Sequence, residues 1–305
     1  MAFVERIMPM ISYRIERQLS GEQPWMRNTY AMSPDVFQLS NDEPFMASST
    51  CSARDFYHPE FRKLCDRIGA PVQLHRKLWE WVFIIHHAFK MGVVRPGARG
   101  LVFGVGRELL PAVFVGEGMH VTATDAPDNI ASASGWSESA QRSENLAGLP
   151  SGSLIREVFE AAVEWRACDM NAIDPELTGY DLVWSSCCLE HLGSIEAGLD
   201  FIINSVEQTL RPGGLAVHTT ELNLSSNEAT VDSGNTVLYR RRDLDGLISN
   251  LRARGHEVND LIVAPDTFVM DTFVDTPPYD KPHLRVLFEG YVTTSVGIVV
   301  RKKFD

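Results

Sequence analysis

The sequence predicts a doubly wound α/β fold, and three observations support this prediction. Apolar runs that end near Gly104, Asp125 and Ser186 alternate with helical stretches, which is the order expected of β-α-β units with parallel strands. Glycines follow the first run at once, where a strand can turn sharply into a helix. The chain finishes with the runs 261–264 and 291–301 and no helix between them, which predicts an antiparallel edge.

The elements follow one another from residue 96 onwards. Seven strands are expected, at 100–104, 120–125, 164–169, 181–186, 215–220, 261–264 and 291–301. Helices are expected at 108–116, 154–163, 195–210 and 244–254, with Arg211-Pro212-Gly213-Gly214 and Gly255 closing the last two. The segment 130–150 is rich in Ser, Ala and Gly, and it is expected to cover a site at the strand ends.

Residues 1–95 predict a different organisation. Residues 1–50 carry several prolines and no sustained period, which is typical of loose helices and an arm. Between residues 55 and 90, apolar side chains recur at helical spacing on both sides of a break at 69–71. We therefore expect an N-terminal arm and helical cap over 1–95, which contributes to a substrate pocket, and a second domain over 96–305.

Composition and charge limit the partners of this chain. Its 305 residues are 44% hydrophobic and 22% charged, which is typical of a globular protein with a large core. The formal net charge is −12, and this balance disfavours nucleic acid or an anionic membrane as the main partner. A small or neutral substrate is favoured instead.

Targeting and redox signals point to the cytoplasm. The longest apolar runs, such as 79–88, are too short to cross a bilayer, so no membrane insertion is expected. The first residues lack the basic start and long apolar stretch of a secretory signal. Five cysteines occur without a Cys-x-x-Cys pair, which indicates a reducing compartment.

The glycine turn and the next acid indicate a nucleotide-cofactor site. Gly104 and Gly106 follow the first strand, and Asp125 ends the second, where an acid can accept both hydrogen bonds of a ribose diol. A dinucleotide fingerprint fails because Leu109 stands where its third glycine belongs. The pattern Gly-x-Gly-x-Gly fits better, with Glu108 in the last position.

From about residue 96 to the end, the chain resembles a class I S-adenosylmethionine-dependent methyltransferase. Five elements carry the resemblance in the order of the family: the glycine turn, Asp125, the segment 168–170, the segment 180–192 and the segment 210–214. The stretch 218–223 also resembles methyltransferases of bacterial glycan or sugar-modifying gene clusters. The resemblance implies a seven-stranded Rossmann-like methyltransferase sheet with an antiparallel final strand.

The resemblance also implies the cofactor site, with S-adenosylmethionine as cofactor and S-adenosylhomocysteine as product. Amides around Gly104 and Gly106 would face the methionine, Asp125 would bind the ribose, and Asp169 with Met170 would hold the adenine. The full expected set is Phe103, Gly104, Val105, Gly106, Glu108, Asp125, Ala126, Asp169, Met170, Ser185 and Ser186.

Some of these residues have simpler interpretations, and the chain departs from the family pattern. Asp125 could instead be a helix cap or a solvated acid of a turn, and Asn171 could share the turn of Asp169. Val102 replaces the acid that usually starts the glycine motif, so Glu108 could bind the methionine ammonium in its place.

An oxygen acceptor without a metal needs a base near the strand ends. The candidates are His191, His218 and Glu221, although His191 could anchor a loop and His218 could be a hydrogen-bonded core histidine. No metal is expected, and His218, Glu221 and Asp275 are the alternative set by ligand type. The expected substrate-binding residues are Trp136, Gln141, Glu190, Arg240 and His283, although Arg240 belongs to an arginine run that is usually a solvated or ion-paired face.

The sequence thus predicts an enzyme that methylates a hydroxyl of a sugar, glycan or related polyhydroxylated metabolite. N- or carboxyl-methylation of another small metabolite or peptide is one alternative, and a non-catalytic cofactor-binding scaffold is another. A nicotinamide oxidoreductase is disfavoured by the glycine spacing and by the antiparallel end. The oligomeric state stays open, with a homodimer among the options.

Overall fold

One mixed β-sheet forms the centre of the computed structural model, which describes residues 32–133, 142–280 and 282–304. Its strands are β1 Arg99–Phe103, β2 His120–Asp125, β3 Val163–Ala167, β4 Tyr180–Ser186, β5 Leu210–Asn223, β6 Glu257–Val258, β7 Val274–Asp275, β8 Arg285–Phe288 and β9 Tyr291–Arg301. They lie in the order β3-β2-β1-β4-β5-β9-β8-β7, and β6 also pairs with β9. β1 to β5 run parallel to one another, whereas β9 is antiparallel to β5. The predicted doubly wound sheet with an antiparallel edge is confirmed.

Helices connect these strands. They are α1 Ala53–Phe56, α2 Pro59–Ile68, α3 Arg76–Lys90, α4 Leu110–Gly116, α5 Asp128–Ala133, α6 Arg156–Ala162, α7 Ile195–Asn204, α8 Arg241–Ala253 and α9 Val269–Thr272. A π-helical turn, Ser205–Thr209, continues α7 into β5, and Leu189–His191 forms a single 3₁₀ turn after β4. This short turn places its side chains at the carboxyl edge of the sheet.

The expected number of strands was wrong, because the described part of the sheet has nine. The predicted strand at 261–264 does not form. Its backbone instead pairs irregularly with residues 49–50, since Ile262 N donates to the Ser49 hydroxyl and Ala264 N donates to the Thr50 hydroxyl. The short strands β6, β7 and β8 complete the sheet around β9. The predicted turn at 211–214 lies inside β5, where the pairing with β4 shifts register.

Helix α3 lies directly on the sheet. Gly297 of β9 makes this close approach possible, because a Cβ there would come within 2.1 Å of the Phe83 ring. The helix begins at His75, whose Nδ1 accepts the Lys77 N–H at 3.1 Å as an N-terminal cap. Its first turn therefore reaches the carboxyl edge of the sheet, with Lys77 beside the end of β4 and Arg76 beside β5.

The buried residues of α1 to α3 belong to the same hydrophobic cluster as one face of the sheet. The cap thus packs on the strands through apolar contact, and the division at residue 95 stays a prediction. Within the described ranges, no helix is both long enough and apolar enough to cross a membrane.

Candidate active site

A first cavity lies at the carboxyl ends of β1, β2 and β3, beside the turn that follows β4. We call it the strand-end cavity, and its volume is about 290 Å³. Ligands of doubly wound sheets bind at this edge. Its lining residues are Gly104, Asp125, Ala126, Ile130, Cys168, Asp169, Met170, Asn171, Cys188, His191, Leu192, Gly193, Gly234 and Asn235.

Gly104 forms a wall of this cavity with its backbone. Its φ is +61°, and a Cβ on it would lie 2.8 Å from both Cβ and Sγ of Cys188. No other residue type fits here without a shift, because the strand end packs directly against the turn after β4. Phe103, Val105 and Gly106 lie behind Gly104 and hold the turn, with Val105 N donating to the Thr124 carbonyl at 2.9 Å.

The Asp125 carboxylate joins three segments around the strand-end cavity. It accepts backbone N–H groups from Gly106 at 3.2 Å, Ala126 at 2.8 Å and Ser143 at 3.0 Å. The alternative of a solvated turn acid is wrong, because Asp125 is 1% exposed and orders these segments from a buried position. Asp125 and Ala126 also line the cavity, so ribose binding stays a prediction for the same acid.

Asp169 and Met170 form the far side of the strand-end cavity. Asp169 Oδ1 accepts the backbone N–H of Asn171 at 2.9 Å, which is the shared turn that the sequence allowed. Met170, with Ile130 and Leu192, gives this side an apolar surface suited to a flat ring. The side-chain chemistry on this wall agrees with the expected adenine contacts, which stay a prediction.

Glu108, Ser185 and Ser186 are three further expected cofactor residues. They are outside the lining of this cavity, and their side chains form hydrogen bonds elsewhere. Trp184 Nε1 donates to Glu108 Oε1 at 2.7 Å. Burial raises the pKa of Glu108 to about 8, against the lowering effect of this hydrogen bond. The Ser185 hydroxyl contacts His218, and the Ser186 hydroxyl donates to Glu80 Oε2 at 3.2 Å.

A second cavity, of about 410 Å³, lies between the first turn of α3, the ends of β4 and β5, and the segment 279–293. We call it the cap-side cavity. Its lining is mostly polar or ionisable, unlike a core void. The lining residues are His75, Arg76, Lys77, Glu80, Cys187, Glu190, His191, Glu221, Thr236, Leu238, Tyr279, His283, Val286, Phe288 and Thr293.

Two ion pairs lie in the wall of the cap-side cavity. Arg76 donates to Glu221, and Glu221 also accepts the Thr293 hydroxyl at 2.9 Å. Lys77 Nζ lies 2.8 Å from Glu80 Oε2. Burial alone would raise the pKa of Glu80, but the charges of Lys77 and Arg76 outweigh it and lower the pKa to about 2. The Lys77–Glu80 pair is therefore ionic and lies within α3. The pair of Arg76 and Glu221 joins α3 to β5.

Glu190 is the third acid of the cap-side cavity and differs from the other two. It is 2% exposed, and the Thr220 hydroxyl donates to its Oε2 at 3.0 Å. Within the described residues, no Lys, Arg or His nitrogen lies within 4.0 Å of its carboxylate. Burial raises the pKa of Glu190, His191 lowers it, and the nearby Glu221 carboxylate raises it further, with a net upward shift.

His191 lines both cavities and is the residue that they share within the described ranges. Its Nδ1 lies 2.8 Å from the Asn235 carbonyl and 3.2 Å from the Thr236 hydroxyl. A carbonyl oxygen can only accept, so this contact assigns the hydrogen to Nδ1. In that tautomer Nε2 is the nitrogen that can accept a proton.

His218 occupies the position of a core histidine. It is 0% exposed, and its two ring nitrogens contact the hydroxyls of Ser185 at 2.8 Å and Ser205 at 3.0 Å. Burial lowers its pKa to about 3. The structure therefore places it in the sheet between two hydroxyls, apart from both cavity linings, and this placement favours its structural alternative.

The metal set suggested by ligand type does not assemble around His218. Within the described residues, the group whose possible ligand atoms lie together is Cys187, Glu190 and Glu221, all within 4.8 Å of one another. Asp275 instead lies 2.5 Å from Nδ1 of His283, which stacks on His75 and lines the cap-side cavity.

The remaining expected substrate residues lie elsewhere. Arg240 immediately precedes α8, and its guanidinium donates to both carboxylate oxygens of Asp243, at 2.8 and 3.0 Å, and to the Glu228 carbonyl at 2.8 Å. Arg240 is therefore ion-paired, as its place in an arginine run suggested, and it lines neither cavity. Trp136 and Gln141 lie outside the described residues.

The sequence did not point to most residues of the cap-side cavity, and the missed ones include Arg76, Lys77, Glu80 and Cys187. One signal was available, because Glu80 interrupts the apolar stretch 78–82 of a predicted helix. A charge in such a run is rarely buried without a partner, and Lys77 stands three residues before it. Cys187 carried no such signal, and its φ of +47° is visible only in the fold.

Among known proteins, the chain is similar to several solved structures. No protein-family model matches the chain, and no curated protein matches its sequence. An O-methyltransferase family protein from Burkholderia thailandensis is 12% identical, with 75% of this chain and 60% of that chain covered and a TM-score of 0.40. Phosphoethanolamine N-methyltransferase 2 from Haemonchus contortus, in complex with S-adenosyl-L-methionine, is 15% identical, with 80% and 60% covered and a TM-score of 0.45.

A third structure is aligned over nearly the whole chain. It is 1,6-didemethyltoxoflavin-N1-methyltransferase from Burkholderia thailandensis, with bound 1,6-didemethyltoxoflavin and S-adenosylhomocysteine. It is 18% identical, with 99% of this chain and 88% of that chain covered and a TM-score of 0.38. This chain spans 60% of the length of the O-methyltransferase family protein. At such low identities, the function has to be inferred from the geometry of the site.

Proposed function

We propose that this chain transfers a methyl group from S-adenosylmethionine to a small acceptor. The cofactor would lie in the strand-end cavity and the acceptor in the cap-side cavity. The observation that carries this proposal is that His191 lines both cavities, on the turn after β4. A displacement between two bound molecules needs adjoining sites that hold the reacting atoms in line.

The strand-end cavity fits the proposed cofactor. Gly104 lines the cavity without a side chain, because Cys188 leaves no room for a Cβ on it. Asp125 presents a fixed carboxylate for the ribose diol, and Asp169 with Met170 offers a polar and an apolar contact for adenine. Glu108, which the sequence suggested for the methionine ammonium, bonds to Trp184 outside the cavity lining, so we do not propose that role for it. When bound, the cofactor supplies a methyl group that its sulfonium has already activated.

The chain's own contribution would be orientation and proton removal. His191 Nδ1 donates to the Asn235 carbonyl, which fixes the ring and leaves Nε2 to take the acceptor proton. Neutral histidine accepts protons near physiological pH. We do not assign this role to His218, because its ring nitrogens are already occupied by two hydroxyls in the sheet. Glu221 is held by Arg76 and is better suited to shaping the cavity.

The acceptor that the sequence favours is a hydroxyl of a sugar, glycan or related polyhydroxylated metabolite. The polar lining of the cap-side cavity supports an acceptor rich in hydrogen-bonding groups. An amine or carboxylate of another small metabolite fits the same lining and is the alternative. His283, stacked on His75, offers this acceptor a flat surface at one end of the cavity.

The test of this proposal is ligand binding to the purified chain. S-adenosylmethionine and S-adenosylhomocysteine are expected to raise the melting temperature, and NAD is not, because a ligand that binds the native state alone stabilises it. Calorimetric titration with S-adenosylhomocysteine gives the affinity. Binding of NAD without binding of S-adenosylhomocysteine would contradict the proposal.

A further inference from the structure

The charges that line the cap-side cavity do not balance. Its two side-chain cations, Arg76 and Lys77, are paired with Glu221 and Glu80. The third acid, Glu190, has no Lys, Arg or His nitrogen within 4.0 Å in the described parts of the chain. Among the described side chains, the donor to its carboxylate is the Thr220 hydroxyl. The cavity therefore carries one acid more than its side-chain cations neutralise.

A buried carboxylate without a cation is unfavourable, because burial removes its hydration, and the Thr220 hydroxyl and the backbone N–H of Glu190 replace only part of it. A ligand that brings N–H donors and a positive charge to Glu190 would compensate for this loss. The bound acceptor is the molecule available to do so, since Glu190 lines the cavity proposed for it and precedes His191 in the turn after β4.

A metal ion is a less suitable partner for the Glu190 carboxylate than an ammonium group. Glu190, Glu221 and Cys187 lie close enough to share an ion, but Glu221 is already bound by Arg76 and Thr293. A divalent ion would have to displace the guanidinium or sit against its charge. Burial and the neighbouring acids also raise the pKa of the Cys187 thiol, so the protonated thiol is favoured. An ammonium group needs Glu190 alone.

We propose that the acceptor carries an amino group and that Glu190 binds it in its ammonium form. The acceptor class is then a small polar amine, such as an amino sugar, whichever of its atoms receives the methyl group. Glu190 selects such acceptors over their hydroxyl counterparts. This inference rests on the proposed function, because it assumes that the acceptor occupies the cap-side cavity.

The experiment compares matched amine and hydroxyl compounds on the full chain loaded with S-adenosylhomocysteine. Glucosamine and glucose form one pair of probes, and ethanolamine and ethylene glycol form a second. Calorimetric titration is expected to show at least tenfold tighter binding of the amine in at least one pair, since an ion pair with hydrogen bonds is lost in the hydroxyl compound. Glu190→Gln should abolish this preference and leave the affinity for S-adenosylhomocysteine unchanged.

Two variants separate charge from structure. Glu190→Asp keeps the negative charge and should keep a preference for the amine, which a purely structural role would not predict. Glu196→Gln makes the same substitution on an exposed acid of the following helix and should leave both affinities unchanged. Melting temperatures of all three variants show whether each is folded.

The outcomes separate the two proposals. If S-adenosylhomocysteine fails to bind the wild-type chain, the proposed function itself fails. The amine inference alone is overturned if S-adenosylhomocysteine binds but neither amine is preferred, if none of the four probes binds, or if Glu190→Gln keeps the wild-type preference. Zn²⁺ added alone to the same cell serves as a further arm, and tight binding that Glu190→Gln removes would favour a metal over the amine.

Discussion

The strand-end cavity and the cap-side cavity are built from different kinds of contact. In the strand-end cavity, Asp125 bonds to Gly106, 19 residues away, and Asp169 bonds to Asn171, 2 residues away. In the cap-side cavity, Arg76 and Glu221 are 145 residues apart, and Ser295 and Glu80 are 215 residues apart. Nearby segments thus hold the acids of the first cavity, whereas the packing of α3 on the sheet holds those of the second.

The two cavities also hold their acids differently. Asp125 is fixed by backbone N–H groups, which no side-chain substitution elsewhere removes. Glu80 and Glu221 are held by the side chains of Lys77 and Arg76. We therefore expect single substitutions to separate the two cavities, with cofactor affinity changing at the strand ends and stability or turnover changing on the cap side.

The largest effect is expected for Arg76→Ala on the cap side. Removing the cation leaves Glu221, which is 5% exposed, with the Thr293 hydroxyl alone. Breaking a buried pair from one side costs about 3 kcal/mol, measured as the free energy of unfolding in urea. The exposed pair of Arg67 and Glu117 provides the control, because Arg67→Ala should cost less than about 1 kcal/mol. Equal losses in the two variants would contradict the prediction.

The next effect compares two histidines. His191→Asn should lower kcat by about a hundredfold while the affinity for S-adenosylhomocysteine stays constant, because the proton is removed only during reaction. His218→Asn should instead lower the free energy of unfolding by about 1 to 3 kcal/mol, since it disturbs the bonds to two buried hydroxyls. Turnover and urea unfolding are measured for both. Wild-type turnover in His191→Asn would exclude it as the base.

The third prediction belongs to the strand-end cavity. Asp125→Ala should weaken binding of S-adenosylhomocysteine by about 2 kcal/mol, because it removes a charged acceptor at the ribose position and frees three backbone N–H groups. Calorimetry measures the loss. Asp128→Ala, on the exposed acid three residues later, should leave the affinity unchanged. If Asp125→Ala binds like the wild type, the acid only orders the turn.

The smallest effect is a difference in pH dependence between two buried acids. Glu108 has a pKa of about 8 in the fold, above its unfolded value of 4.5, so the folded state binds the extra proton. The stability contributed by protonated Glu108 is full below about pH 4.5 and is lost as the pH rises towards 8. Glu80, with a pKa of about 2, contributes stability above pH 4.5 that is lost as the pH falls towards 2.

Urea unfolding at a series of pH values tests this difference. The wild type should lose stability relative to Glu108→Gln between pH 5 and 8, because Gln cannot ionise. Relative to Glu80→Gln, the wild type should lose stability only in acid, on the way from about pH 4.5 to 2. Parallel curves for wild type and Glu108→Gln would show that Glu108 is not held protonated by burial.

The sequence by itself determined the order of β1 to β5 along the chain and the antiparallel β9. It also determined six residues of the strand-end cavity, which are Gly104, Asp125, Ala126, Asp169, Met170 and His191. The reason is that each depends on local signals: a glycine at a strand end, an acid that follows a strand, and alternating apolar periods. Strand 261–264 was predicted wrongly because its apolar pattern fits a strand, while its backbone N–H groups bond to hydroxyls of residues 49–50, which no local pattern reveals.

Only the tertiary structure decided what each polar residue after β4 and β5 does. The sequence predicts both His191 and His218 near the ends of central strands, yet one lies between two cavities and the other inside β5 between two buried hydroxyls. Glu190 and Glu221 are both acids predicted near strand ends. They differ in their partners, because Arg76 of α3 forms an ion pair with Glu221 and not with Glu190. Such differences depend on which distant side chain packs against the strand end, and a packing contact between remote segments has no signature in the spacing of residues along the chain.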